Sequence, residues 1–255
     1  MPDWLCPEWP APANVRALVT TRQGGVSTGQ YASMNLATHV GDDPAAVAEN
    51  RALLLRRALP AEPRWLDQVH GIDVVAGESV HGAPRADASV ARTPGVVLAV
   101  MTADCLPVLL TDRAGSVVGI AHAGWRGLVG GVIEATIAAM EVAPRDMLAW
   151  LGPAIGPASF EVGGEVRDAA VGGQADAVQA FVASGPGKWL ADIYRLARLR
   201  LAYAGVGSVS GGGFCTVREA DRFYSYRRDR ETGRMASLIW LESKGILGDP
   251  TPSRP

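Results

Sequence analysis

Between Val96 and Ala121 the chain sets out three short apolar runs, VVLAVMT, LPVLLTD and VVGIA. They are bounded by Pro94, Pro107 and the Ala114-Gly115 turn. Runs this short, apolar at consecutive rather than alternate positions, are strands covered on both faces. They predict the middle of a sheet buried beneath further layers. A chain of 255 residues, 48% hydrophobic, can supply those layers within one large domain.

Other elements follow from local chemistry. Arg16 to Thr21 reads as a strand leading into the Gly-rich loop RQGGVSTGQYASMN. Asp42, Asp43 and Pro44 make a helix start, with acids at the positive end of the dipole and proline where no donor is needed. That helix should reach about Leu59. A second helix is expected from Leu128 to Met140, then a strand from Met147 to Leu151. Ile193, Leu196, Ala197 and Leu201 recur at helical spacing before Gly205, which predicts a core-facing helix over Leu190 to Tyr203. Ala236 to Leu241 reads as the last strand. The tail GDPTPSRP, residues 248–255, carries too little apolar surface to offset its ordering entropy and is expected to fray, leaving a domain over 1–247.

Several function classes are disfavoured. The net charge is -2 and no Lys/Arg run forms a basic stripe, which argues against nucleic acid as a partner. The N-terminus MPDWLCPEWPAPANV has neither a basic start nor an apolar stretch, and no run approaches the roughly 20 residues that span a bilayer. Cys6, Cys105 and Cys215 are an odd, widely spaced set, unlike a disulfide framework. The expected compartment is the cytoplasm, with no membrane partner.

Only four histidines occur, His39, His70, His81 and His122. His70 closes the strand-like RWLDQVHG, Cys105 interrupts the boundary between two apolar runs in MTADCLPV, and His122 ends a run in AHAGWRG. Strand ends beside loops are where reactive groups are usually mounted. One thiolate and two imidazoles suit zinc, and three protein ligands leave the open position of a catalytic site. Separations of 35 and 17 residues match no local zinc motif, so the fold must bring the three together. Two alternatives stay open here. Cys105 could be a nucleophile with His122 or His70 as its base, or all three could be ordinary core residues.

Around this set stand groups suited to an anionic or polyhydroxyl substrate. Arg22 with Gly24 and Gly25 could form a backbone nest, and Arg126 follows His122 closely enough to face the same cavity. Asn35, Arg51 and Arg227 complete the candidate substrate and phosphate set; Arg227 lies in a Tyr226-Arg227-Arg228 cluster that a solvated turn would also explain. Asp104, beside Cys105, is a candidate proton carrier or a histidine-orienting group.

These blocks together resemble a known family. In order, TRQGGVSTGQYASMNL, HVGDDPAAVAENR, WLDQVHG, ADA, TADCLPVLL, AHAGWRGL, LGPAIGPASFEVG and FYSYRRDRETGRMASLIW are similar to the YfiH-like laccase-domain family, over about Trp4 to Trp240. The resemblance implies a single α/β domain of four layers, α/β/β/α, with helices outside two packed mixed sheets. It implies zinc held by His70, Cys105 and His122, with copper as the alternative ion. It also implies a purine nucleoside phosphorylase for adenosine, inosine and methylthioadenosine that can deaminate adenosine; its partners would be a nucleoside and phosphate, the chain a monomer or homodimer. Bacterial relatives are also described as peptidoglycan editing factors, which gives the rival expectation of an amide hydrolase working through metal-activated water or Cys105. The older polyphenol oxidase name fits poorly, because a multicopper oxidase needs a blue-copper centre plus a histidine-rich cluster that four histidines cannot supply. One departure is Ala158-Ser159-Phe160, where many relatives carry a cysteine that is not a ligand.

Overall fold

The computed structural model describes residues 3–243, so the tail expected to fray at 248–255 lies outside the described residues. In chain order the elements are β1 (Val15–Val19), α1 (Pro44–Ala58), β2 (Val74–Ala76), β3 (Ala88–Ala91), β4 (Leu98–Thr102), β5 (Leu106–Asp112) and β6 (Val118–Ala123). There follow α2 (Trp125–Gly130), α3 (Val132–Met140), β7 (Met147–Leu151), β8 (Glu161–Gly163), α4 (Gly164–Gly173), β9 (Phe181–Gly185) and β10 (Lys188–Ala191). The chain closes with α5 (Ile193–Tyr203), β11 (Ser208–Gly211), α6 (Tyr226–Asp229) and β12 (Met235–Leu241).

A six-stranded mixed sheet, ordered β11-β7-β5-β6-β3-β2, packs face to face on an antiparallel sheet ordered β1-β12-β4. Leu98, Val100 and Ile239 from the smaller sheet meet Leu109, Val118 and Ile120 from the larger one. The outer face of the smaller sheet, with Ala99, Met101 and Leu238, is covered by Leu54 of α1 and by Met34 and Leu36. On the far face of the larger sheet, Leu128, Ile133, Ile137, Leu196 and Leu201 bring in α2, α3 and α5. The four-layer α/β domain is therefore present. A third, small antiparallel sheet, β8-β10-β9, stands beside α4.

The three central runs are all buried strands, but they do not share a sheet. β4 pairs with β12 in the smaller sheet, while β5 and β6 pair with each other in the larger one. The apolar run of β4 follows from this, since alternate residues face the inter-sheet core and the helix layer. Local signals placed α1 well. The Asp43 side chain accepts from the Ala45 N–H at 2.9 Å, Pro44 opens the first turn, and the helix ends just before Leu59-Pro60.

Three expectations need correction. The helix expected over Leu128 to Met140 is broken into α2 and α3 at Gly131, whose φ of 103° only glycine adopts readily. The helix expected from Leu190 begins at Ile193, because Leu190 and Ala191 belong to β10 and Asp192 caps the helix by accepting from the Arg195 N–H. RWLDQVHG is not a strand. Its ladder pairing among the described residues is limited to isolated bridges at Arg64 and Asp67, and His70, next to its end, has a φ of 61°.

Candidate metal centre

Register in the larger sheet assembles the site. Leu106 pairs with Ala123 and Pro107 with His122, so Cys105 and His122 stand on neighbouring strand ends. Ala88 pairs with Ala121 on the other side of β6, which sets Asp87 beside His122, and the His122 N–H donates to the Asp87 carbonyl at 2.7 Å. His70 arrives from its loop, its ring centroid 4.8 Å from that of His122. The Cys105 Sγ lies 3.8 Å from His70 Nε2, and the ligand atoms of His70, Cys105 and His122 all fall within 4.8 Å of one another. No fourth histidine, cysteine or carboxylate joins the cluster among the described residues.

This donor set fits a metal. Bonds of about 2.0 to 2.3 Å at a tetrahedral ion put ligand atoms roughly 3.3 to 3.8 Å apart, so the present spread needs only slight closure. Burial alone would push the Cys105 thiol up, but the charge of His122 and hydrogen bonds from His122 and His70 hold it below its ordinary value. Burial would likewise lower His122, and the Cys105 thiolate with the Asp87 carboxylate raises it instead. Thiolate is the ligating form, so the pair is poised to exchange a proton for a cation.

The cluster forms one wall of an open cavity of about 380 Å³. His39, Gln68, Arg126, Tyr226 and Arg234 line the rest, with Met101 and Thr102 at the end of β4. No carboxylate lines it among the described residues. Arg126 lies over the Trp125 ring at 4.4 Å, lines the cavity and makes no side-chain hydrogen bond among the described residues. Burial and the charges of Arg234 and Arg51 keep His39 below its usual range, and hence neutral at neutral pH. Gln68 is committed to both backbone groups of Met101, at 2.7 and 2.9 Å.

Of the residues read from the sequence, the fold brings His70, Cys105, His122 and Arg126 together and leaves others apart. Arg22 donates to the Ala32 and Ala220 carbonyls and stacks on Tyr224. Asn35 is fully buried and ties Ala37, Asp42 and Arg234 backbone and side-chain groups together. Arg51 donates to Leu36 and lies over Trp65; Arg227 donates to Glu161. Asp104 does not touch either histidine of the cluster: its carboxylate accepts from the Thr216 hydroxyl at 2.5 Å and the Arg227 N–H at 2.6 Å. Arg228 is spent on Asp229 and on the Thr216, Val217 and Phe223 carbonyls. Ser159, at the departure from the family pattern, lies 3.5 Å from Cys215 Sγ, away from the cluster.

Sequence reasoning missed Asp87, His39 and Arg234 as cavity or supporting groups, and of the Tyr226-Arg227-Arg228 cluster it is Tyr226 that lines the cavity. Asp87 carried a faint signal, a lone acid opening the otherwise apolar ASVA strand. His39 and Arg234 lie at opposite ends of the chain, and only the closure of α1 and β12 onto the same sheet sets them near each other.

Fold and site together define an α/β protein that presents one thiolate and two imidazoles in the wall of an open cavity. Residues 16–242 match the family model described as multi-copper polyphenol oxidoreductase laccase, and the chain belongs to that family. It is 58% identical to the Pseudomonas aeruginosa protein named purine nucleoside phosphorylase PA4543, over 95% of this chain and 100% of that one. It is 55% identical to the Escherichia coli purine nucleoside phosphorylase YfiH, over 94% and 100%. Among solved structures, Neisseria meningitidis NMB0706 matches with a TM-score of 0.92 at 57% identity, covering 94% of this chain and 100% of that one. YlmD from Geobacillus stearothermophilus matches with a TM-score of 0.84 at 32% identity, covering 91% and 93%.

Proposed function

We propose that the chain is a zinc-dependent purine nucleoside phosphorylase acting on adenosine, inosine and methylthioadenosine, with deamination of adenosine as a side activity. The observation that carries this reading is a cavity that joins the His70, Cys105 and His122 cluster to two arginines and, among the described residues, to no carboxylate. A volume of about 380 Å³ lies in the range of small-ligand sites and suits a nucleoside. The names of the relatives support the same class of reaction.

In phosphorolysis a phosphate oxygen attacks the anomeric carbon of the ribose, and the bond to the purine breaks as positive charge develops on the sugar. Arg126 and Arg234 bind and orient the phosphate, and charge-assisted hydrogen bonds preset for that arrangement act without reorganisation. Neutral His39 offers one N–H and one lone pair to a purine edge, while Tyr226 presents an aromatic face at the rim. Zinc held by His70, Cys105 and His122 supplies Lewis acidity to the same cavity. The partners of the chain are then a nucleoside and inorganic phosphate, in the cytoplasm. No helix among the described residues is long and apolar enough to cross a membrane.

The test is product analysis on adenosine and inosine with and without phosphate, on metal-loaded protein. Ribose 1-phosphate formed only with phosphate supports the reading, and inosine from adenosine supports the deaminase activity. Neither product, with release of an amino acid from a muramyl amide, would replace it by the hydrolase.

A further inference from the structure

Asp87 is fully buried and its carboxylate is saturated by four donors from two directions. Oδ1 accepts from His122 Nδ1 at 2.8 Å and from the His70 N–H at 2.9 Å. Oδ2 accepts from the Gly71 N–H at 2.6 Å and the Val69 N–H at 3.1 Å. A carboxylate with no proton can only accept, so Nδ1 of His122 must carry its hydrogen and Nε2 is the nitrogen left to take an ion. The same anion gathers three successive N–H groups of the loop that carries His70. That loop belongs to no strand, and His70 there adopts a φ of 61°, a conformation a non-glycine residue needs support to hold.

We infer that Asp87 is the positioning residue of the metal centre: one carboxylate sets the tautomer of His122 and the placement of His70, and so couples the two imidazole ligands. Cys105 is set independently, by the β5–β6 register. The inference rests on the metal reading of the cluster but not on the identity of the substrate. It predicts an asymmetry. Losing the Asp87 charge disturbs both histidines and leaves the thiol in place.

Asp87→Asn is the sharpest variant, because its amide places a donor against groups that themselves donate. Set against His122, the new NH2 forces Nδ1 to accept and moves the hydrogen to Nε2, where the ion should bind; set the other way, it meets the Val69 and Gly71 N–H groups and drives off the loop that carries His70. Zinc affinity, measured by competition with a chelating dye, should fall about 10- to 100-fold, the usual cost of losing an outer partner of a ligand histidine. Nitrogen NMR on the unsubstituted, zinc-loaded chain should show a hydrogen on Nδ1 of His122 and the ion on Nε2. That measurement keeps the inference testable should Asp87→Asn fail to fold. Unchanged zinc affinity in Asp87→Asn, or zinc on Nδ1 in the unsubstituted chain, would overturn the positioning role while leaving a phosphorylase possible. A chain that binds zinc as described but forms no ribose 1-phosphate would sink the functional reading and leave Asp87 its role. An unsubstituted chain that binds no zinc overturns both.

Discussion

The carboxylate of Asp104 accepts a 2.5 Å hydrogen bond from the hydroxyl of Thr216, 112 residues further along the chain. Its second oxygen accepts from the Arg227 N–H in the first turn of α6, next to Tyr226 at the cavity rim. Asp104 is thus a tie between the β4–β5 turn and the segment that supplies one wall of the site. Its φ of 90° is one that asparagine tolerates better than most residues, so Asp104→Asn tests the charge with little backbone cost. Asp104→Asn and Thr216→Val should both raise KM for nucleoside while largely sparing kcat. A proton carrier would instead lose kcat in Asp104→Asn alone, and steady-state kinetics on the two variants separates the cases.

Gly124 makes a second prediction, because the cluster leaves no room beside it. A Cβ there would meet His70 Cδ2 at 2.9 Å and Cys105 Sγ at 3.0 Å. Gly124→Ala should therefore expel or weaken the metal while the sheet core stays intact. Gly77→Ala is the matched control: its Cβ would run into the Leu98 side chain, far from the ligands, and overpacking of this kind costs about 1 to 3 kcal/mol. Metal content by elemental analysis and the thermal midpoint should move in opposite variants. Equal metal loss in both would show that the site merely reports global stability.

These cases show what the chain discloses before it folds. His70, Cys105 and His122 stood out because histidine is scarce and each sits beside a glycine or an apolar boundary. α1 was legible from Asp43 and Pro44 because capping is a local matter. Asp87 was not, since its worth comes from pairing across to His122 and from a loop that closes over it, neither of which leaves a periodic trace. Arginines were the least legible group. Nothing in the spacing distinguishes Arg22, which holds two carbonyls away from the cavity, from Arg234, which holds two carbonyls and also lines it. The small sheet of β8, β9 and β10 was missed for a different reason: its strands are short, and β9 is largely exposed, so no apolar run marks it.

Acid stability offers a prediction independent of the site. Asp112, at the end of β5, is buried, and burial alone would raise it; the Ser116 hydroxyl and the Ser116 and Val117 N–H groups outweigh this and lower it. A carboxyl depressed on folding contributes stability above its ordinary unfolded value, near 3.8, and that contribution is lost as pH falls through the lower folded value. Asp112→Asn should cost about 1 to 3 kcal/mol at neutral pH, the penalty for leaving buried donors poorly matched. Its thermal midpoint should also fall less steeply between neutral pH and pH 3 than that of the unsubstituted chain. Parallel curves would mean that Asp112 does not carry this share of the acid transition.

The last prediction concerns which arginines meet phosphate. Arg22 is tied to two carbonyls through two different nitrogens, whereas Arg234 donates to the Thr232 and Gly233 carbonyls through Nη1 alone and Arg126, among the described residues, has only its stacking on Trp125 to give up. Arg126→Ala should raise KM for phosphate by roughly tenfold or more, since a hydrogen bond to a charged group is worth about 1.5 to 3 kcal/mol. Arg126→Lys should recover only part of it, because an ammonium keeps the charge but not the planar fork. Arg22→Ala and Arg51→Ala should behave differently. Each removes support from buried carbonyls and an aromatic face, so the thermal midpoint should fall while KM for phosphate holds in the protein that remains folded. If phosphate affinity instead collapsed in Arg22→Ala with the fold intact, the anion would have to bind at the Gly-rich loop, and the cavity beside His70, Cys105 and His122 would lose its claim to the co-substrate.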